Sequence, residues 1–98
     1  MRLARVVGNV VSTVKNQGYY NYKLMIVEFM DEKGNPTESR YIAFDAVQAG
    51  IGDVVLVNTD GGAASIMLGQ KIIADFTICG IVDYFTYEDK TTTYREFL

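Results

Sequence analysis

The sequence predicts an all-β fold, a small five-stranded barrel carrying one short helix. Three observations lead there. Short β-branched runs alternate with turn residues along the chain, a single segment falls at helical spacing, and 98 residues leave room for one domain with no linker or repeat. A domain of this size buries a modest share of its surface, so partner subunits are a natural source of further burial.

The first run, residues 2–14, is long for a strand, and Gly8 in its middle predicts the bend or bulge that a small barrel needs to turn a corner. Lys15-Asn16-Gln17-Gly18 breaks it. A second run, residues 22–30, ends in Asp31-Glu32-Lys33-Gly34-Asn35-Pro36. This is a hairpin turn: Gly34 supplies a positive φ, and the only proline is expected to forbid continued strand pairing. The return strand is expected over residues 39–45. Gly50-Ile51-Gly52-Asp53 then turns the chain into a fourth run, Val54-Val55-Leu56-Val57.

Residues 60–68 change period. Ala63, Ile66 and Met67 recur at helical spacing, Thr59 or Asp60 can cap the free amides, and Gly69 stands where helices commonly stop. The last strong run, residues 76–85, is apolar at both parities: Phe76, Ile78, Val82 and Tyr84 on one face, Cys79, Ile81 and Phe85 on the other. One face of each strand in a lone antiparallel barrel meets water, so both faces being apolar implies a second packing surface, such as a neighbouring subunit. Five strands with a short helix between the fourth and fifth suit a Greek-key barrel of the oligonucleotide/oligosaccharide-binding type, although that fold more often places its helix between the third and fourth.

Composition removes several functions. The formal charge of −3 disfavours partners that demand a basic surface, nucleic acid and anionic membranes among them. Arg5 interrupts what would have to be the apolar core of a signal peptide, and no stretch approaches a membrane span, so a cytoplasmic protein is expected. Histidine is absent, which removes the usual general base near neutral pH and the commonest transition-metal ligand. The single cysteine, Cys79, lies in an apolar strand without a basic neighbour and reads as a buried structural thiol.

Asp45, Asp53, Asp60, Asp75 and Asp83 fall mostly at strand ends, where carboxylates make turns. Asp31 to Asn35 lacks the extended ligand pattern of a calcium loop. Gly61-Gly62 is followed by neither a P-loop lysine nor a dinucleotide fingerprint, and a tight turn is its default reading. No catalytic, cofactor-binding or metal site is therefore expected. Tyr19, Tyr20 and Tyr22, flanked by Lys15 and Lys23, superficially resemble a stacking platform for single-stranded nucleic acid, but the acidity of the chain favours a loop or subunit contact.

Three segments carry a resemblance when taken together and in order. They are Met1-Arg2-Leu3-Ala4-Arg5-Val6-Val7-Gly8-Asn9-Val10-Val11-Ser12-Thr13, then Asp45-Ala46-Val47-Gln48-Ala49-Gly50-Ile51-Gly52-Asp53-Val54-Val55-Leu56-Val57, then Ile81-Val82-Asp83. From residue 1 to about residue 84 the chain closely resembles the bacterial microcompartment vertex family, which includes carboxysome and ethanolamine-utilisation vertex proteins. The resemblance implies a five-stranded barrel assembled head to tail into a homopentamer. Such a ring would occupy the five-fold corners of a polyhedral shell, in the bacterial cytoplasm, otherwise tiled by hexameric shell proteins.

The same resemblance places Ala49, Gly50, Ile51 and Gly52, together with Gly61, Gly62, Ala63 and Ala64, at close subunit contacts or around a central opening, where small side chains let backbones approach. That these glycines simply make turns is an equal reading for each one. Family members often carry an arginine after the paired small residues; here Ser65 and Ile66 stand instead. The resemblance divides the chain into a barrel domain, residues 1–85, and a C-terminal extension, residues 86–98, whose Tyr94, Phe97 and Leu98 are expected to dock on a neighbouring subunit or shell protein.

A heterologous ring needs two different patches per subunit, which the two-sided last strand would suit. A chaperonin lid is the competing ring protein, since it shares the length, the barrel and the Gly52-Asp53 step into an apolar strand. It requires a long mobile loop with an aliphatic anchor, whereas residues 15–23 are short, polar and tyrosine-rich. A solitary barrel that binds single-stranded nucleic acid is the remaining alternative.

Overall fold

The computed structural model describes residues 1–10, 23–59 and 76–95. They form seven strands: β1 (Arg2–Val10), β2 (Lys23–Met30), β3 (Pro36–Asp45), β4 (Val54–Asn58), β5 (Thr77–Ile81), β6 (Tyr84–Tyr87) and β7 (Lys90–Thr93). The first five close into a barrel in the order β1-β2-β3-β5-β4, while β6 and β7 make a separate two-stranded sheet. All barrel pairings are antiparallel except β3 with β5. Among the described residues there is no helix; the helix expected at 60–68 lies outside them, as do the tyrosines at 19, 20 and 22.

Alternation builds the core. Met25, Val27 and Phe29 point inward from β2, where they meet Ala4 and Val6 of β1, Ala43 of β3, Val55 and Val57 of β4 and Ile78 of β5. At Gly8 the β1–β2 register shifts, as the sequence predicts: Val6 pairs with Val27 and Gly8 with Ile26, leaving Val7 between them unpaired and exposed.

The turn after β2 forms as expected, with Gly34 at φ 87°. One oxygen of Asp31, Oδ1, accepts the backbone amides of Lys33 and Asn35, both at 2.9 Å. The Asn35 amide contributes most to holding the Asp31 carboxyl below its usual 3.8, against a smaller opposing effect of desolvation. A carboxyl that binds its proton more weakly in the folded state stabilises that state above the unfolded pKa, and the contribution disappears as pH falls through the folded value. Asp31→Ala should therefore lower the urea midpoint at neutral pH, and its gap from the parent should close as the pH is taken down through the carboxylate range.

Two expectations for the strands need correction. Pro36 does not end pairing; it opens β3 and lies opposite Met30. A first strand position needs no amide donor from its residue, so proline is tolerated there. The register then slips between the Glu28–Arg40 and Met30–Pro36 pairs, and Glu38 takes a positive φ of 65° within the irregularity. The run at 76–85 is likewise not one strand. It breaks at Val82-Asp83, where Val82 N–H donates to Val54 O at 2.7 Å and both Tyr94 and Arg95 amides donate to Asp83 O. Tyr84, expected under cover, is 63% exposed because it belongs to the hairpin and not to the barrel.

The β6–β7 hairpin docks on the barrel through its own aromatic face. Phe85 and Tyr94 stack with centroids 6.0 Å apart, and the Arg5 guanidinium lies 5.6 Å from the Tyr94 ring centre. Burial raises the Tyr94 hydroxyl above its usual 10.0, partly offset by Arg5. Tyr94 belongs to the tail expected to dock on a neighbouring subunit or shell protein; within the subunit its half-buried ring already packs against Phe85 and Arg5. Phe97 and Leu98 lie outside the described residues.

Candidate functional site

Two surface features stand out, an internally hydrogen-bonded loop at residues 46–53 and an apolar outer face on the barrel. The loop starts at Asp45, a buried carboxylate at the end of β3. Its Oδ1 accepts the Val47 amide at 3.0 Å, and Oδ2 faces the Lys23 ammonium at 3.5 Å. That second contact is an ion pair and not a hydrogen bond, since Oδ2 has no hydrogen-bond partner among the described residues. Lys23 Nζ also donates to Ala49 O at 3.4 Å, so one cation ties the start of β2 to the end of β3 and to the loop.

The expected contact residues of this loop take distinct positions. Ala49 is buried in the core of its own barrel. Gly50 N–H donates to Asp53 Oδ2 at 2.8 Å, and Asp53 N–H returns to Gly50 O at 3.1 Å. Gly52 sits at φ 96°, a backbone state that side chains resist. Its amide donates to Val6 O at 2.8 Å, and its carbonyl accepts Arg5 Nη1 at 2.9 Å. Closing this turn against β1 leaves Ile51 at the tip, 64% exposed. Gly61, Gly62, Ala63 and Ala64 lie outside the described residues.

The second feature follows from strand alternation. With Met25 and Val27 inward, Leu24 and Ile26 face outward, and register places them beside Val10 and Gly8 on β1 and beside Phe44 and Ile42 on β3. Ile42 is 56% exposed. The next row along is charged: Arg5, Glu28 and Arg40 are cross-strand neighbours, and Arg40 grips Glu28 Oε2 through Nε and Nη2, both at 3.0 Å. An apolar band bordered by an ion pair is the pattern of a contact surface with a polar rim.

Nothing in the sequence alone assigns Ile42, Val7 or Arg5 to this surface. The alternating pattern Arg40-Tyr41-Ile42-Ala43 held the signal for Ile42, but its face could be assigned only from the register. Cys79, expected to be buried, is half-buried, with Sγ 3.5 Å from Leu56 O. It lies toward the outer face because Ile78 takes the core position beside it. Among the described residues no cluster of acidic, cysteine or histidine side chains has the arrangement to hold a metal ion.

Comparison with known proteins places this barrel. Residues 1–83 match the family described as ethanolamine utilisation protein EutN/carboxysome. The chain is 37% identical to the bacterial microcompartment shell vertex protein EutN of Salmonella typhimurium, over 85% of this chain and 84% of that protein. It is 39% identical to the carboxysome shell vertex protein CcmL of Synechocystis, over 85% of this chain and 83% of the relative. Among solved structures, the GrpN pentameric microcompartment shell protein from Rhodospirillum rubrum superposes with a TM-score of 0.73 at 35% identity, covering 85% of this chain and 94% of that one.

Proposed function

The chain belongs to the EutN/carboxysome family, and from that premise we propose that it is a structural subunit of a bacterial microcompartment shell, assembling as a homopentamer that caps the five-fold vertices. Its role is geometric and not catalytic. The observation that carries the reading is the shared barrel: a chain 35% identical to this one, with the same fold, is a pentameric shell protein. In the shell, within the bacterial cytoplasm, the ring would meet hexameric shell proteins through its edges, and it would bind no nucleic acid.

A closed ring of identical subunits joins two different patches, one from each neighbour. The exposed Ile51 tip and the outer band around Ile42 and Ile26 supply two apolar patches of this kind. In this reading Gly50 and Gly52 hold the tip rigid for contact with the neighbour, while Ala49 fixes the loop from inside its own subunit. Gly61, Gly62, Ala63 and Ala64 serve the same contacts or border the central opening. In this reading the five-stranded barrel, which ends with β5, is the assembling domain, and the β6–β7 hairpin belongs to the extension, so the division falls before Tyr84 and not after residue 85.

Native mass spectrometry of the purified protein should give five subunits. A heptamer would favour a chaperonin lid, and a stable monomer would overturn the ring. Ile51→Glu and Ile42→Glu should each raise the subunit dissociation constant about tenfold or more, equivalent to about 1.4 kcal/mol, because each places a charge where apolar surface must be desolvated. Unchanged assembly in both variants would move the interface elsewhere.

A further inference from the structure

Between the β2–β3 turn and the β6–β7 hairpin lies an open cleft of about 300 Å³. Its floor is the half-buried pair Phe85 and Tyr87, which share a face of the hairpin with their cross-strand partners Thr92 and Lys90. Lys33 of the turn and Lys90 of the hairpin stand at its rim, and neither ammonium has an ion-pair partner among the described residues. Glu88 is the acid at the edge, so the cleft is a locally cationic site on a chain of net charge −3.

The cleft adjoins an open sheet edge. Among the described residues β7 pairs with β6 alone. A two-residue loop, Glu88-Asp89, joins the strands, and the closing Tyr87–Lys90 pair of such a hairpin is hydrogen-bonded. Bonded and non-bonded pairs then alternate, so the backbone groups of Thr91 and Thr93 point away from β6. A strand added along that edge would project every second side chain onto the face that carries Phe85 and Tyr87.

We propose that the β7 edge and the adjoining cleft dock an extended acidic peptide segment of another polypeptide. It would pair with Thr91 and Thr93, place an aromatic or aliphatic side chain over Phe85 and Tyr87, and present a carboxylate two residues away to Lys33 and Lys90. Charge complementarity selects the acid. The free backbone edge favours a peptide over a small anion, which could use the lysines but has no use for the edge. The site is pre-formed, because Tyr94 and the Gly34 turn hold the hairpin in place.

The test uses the intact protein and the blocked peptide acetyl-Thr-Phe-Thr-Glu-Thr-amide. Calorimetric titration should give saturable binding, weakened about tenfold by Lys33→Glu or Lys90→Glu, or by lysine in place of the peptide's glutamate. Hydrogen exchange should slow at the Thr91 and Thr93 amides when peptide is added. The proposal is overturned if the peptide does not bind at millimolar concentration, if both charge reversals leave binding unchanged, or if the two amides gain no protection. It is equally overturned if pyrophosphate binds at the lysines while the peptide does not.

Discussion

Phe29→Ala should destabilise the folded protein by about 3–5 kcal/mol, the usual range for emptying a buried aromatic site. Phe29 is 1% exposed, and its ring meets Phe76 edge-on at 5.5 Å and Tyr41 at 5.3 Å. The Arg2 guanidinium lies 4.1 Å above the same ring, a cation–π contact that closes this end of the barrel. Truncation would remove the ring from three neighbours on three strands or their flanks, and strands closed in a barrel have little freedom to collapse into the space. Urea denaturation at a fixed subunit concentration measures the loss, since assembly into the proposed ring would make apparent stability concentration-dependent. A change below about 1 kcal/mol would mean that the aromatic cluster is not part of the cooperative core.

Gly34→Val should produce the next largest loss, about 2–4 kcal/mol, from two causes acting at one position. The backbone at φ 87° strains any β-branched residue, by about 1–3 kcal/mol. A Cβ built there would also stand 2.9 Å from the Tyr94 hydroxyl and 3.2 Å from the Phe85 ring, so these side chains, which seat the hairpin, must shift to admit it. Gly34→Asn separates the causes, because asparagine tolerates the left-handed backbone while still carrying the Cβ. If undocking matters, both variants should speed hydrogen exchange at the Tyr94 and Arg95 amides, which are bonded to Asp83 O in the docked hairpin. A valine variant as stable as the parent would show that the turn does not seat the hairpin.

Local signals in the chain were strong wherever a residue constrains its own backbone. Gly8 marked the β1 bulge, Gly34 the turn after β2, and Gly50-Ile51-Gly52-Asp53 the turn into β4. The alternation of β2 is also legible, since Met25, Val27 and Phe29 all enter the core. Pro36 misled because a missing amide matters only where a partner strand needs the donor, and sequence does not reveal which side of a strand is paired. The residues from 76 to 85 misled for a related reason. Apolar and aromatic residues flank Asp83 on both sides and made the run look continuous, while the interruption is fixed by contacts from Val54, Tyr94 and Arg95.

Of the proposed contact surface, the sequence singled out the loop but not the band. Small residues and a hydrophobic tip are visible as a short string, so Ile51 was accessible to inspection. The Ile26–Ile42 pair depends on two strands meeting in one register, and a shift by one residue would have turned Ile42 inward. Arg5 was equally opaque: its importance lies in reaching Gly52 O and the Tyr94 ring, on segments far away along the chain.

The amino-acid sequence by itself determined the all-β class, the turns and the family, because these depend on backbone permission, hydrophobic alternation and ordered local segments. Tertiary structure decided the parallel β3–β5 closure, the separation of β6 from β5, the pairing of Lys23 with buried Asp45 and the docking of Tyr94 on its own barrel. Each of these joins residues distant in the chain. Their energies arise from register, desolvation and close approach, quantities that exist only once the strands have met.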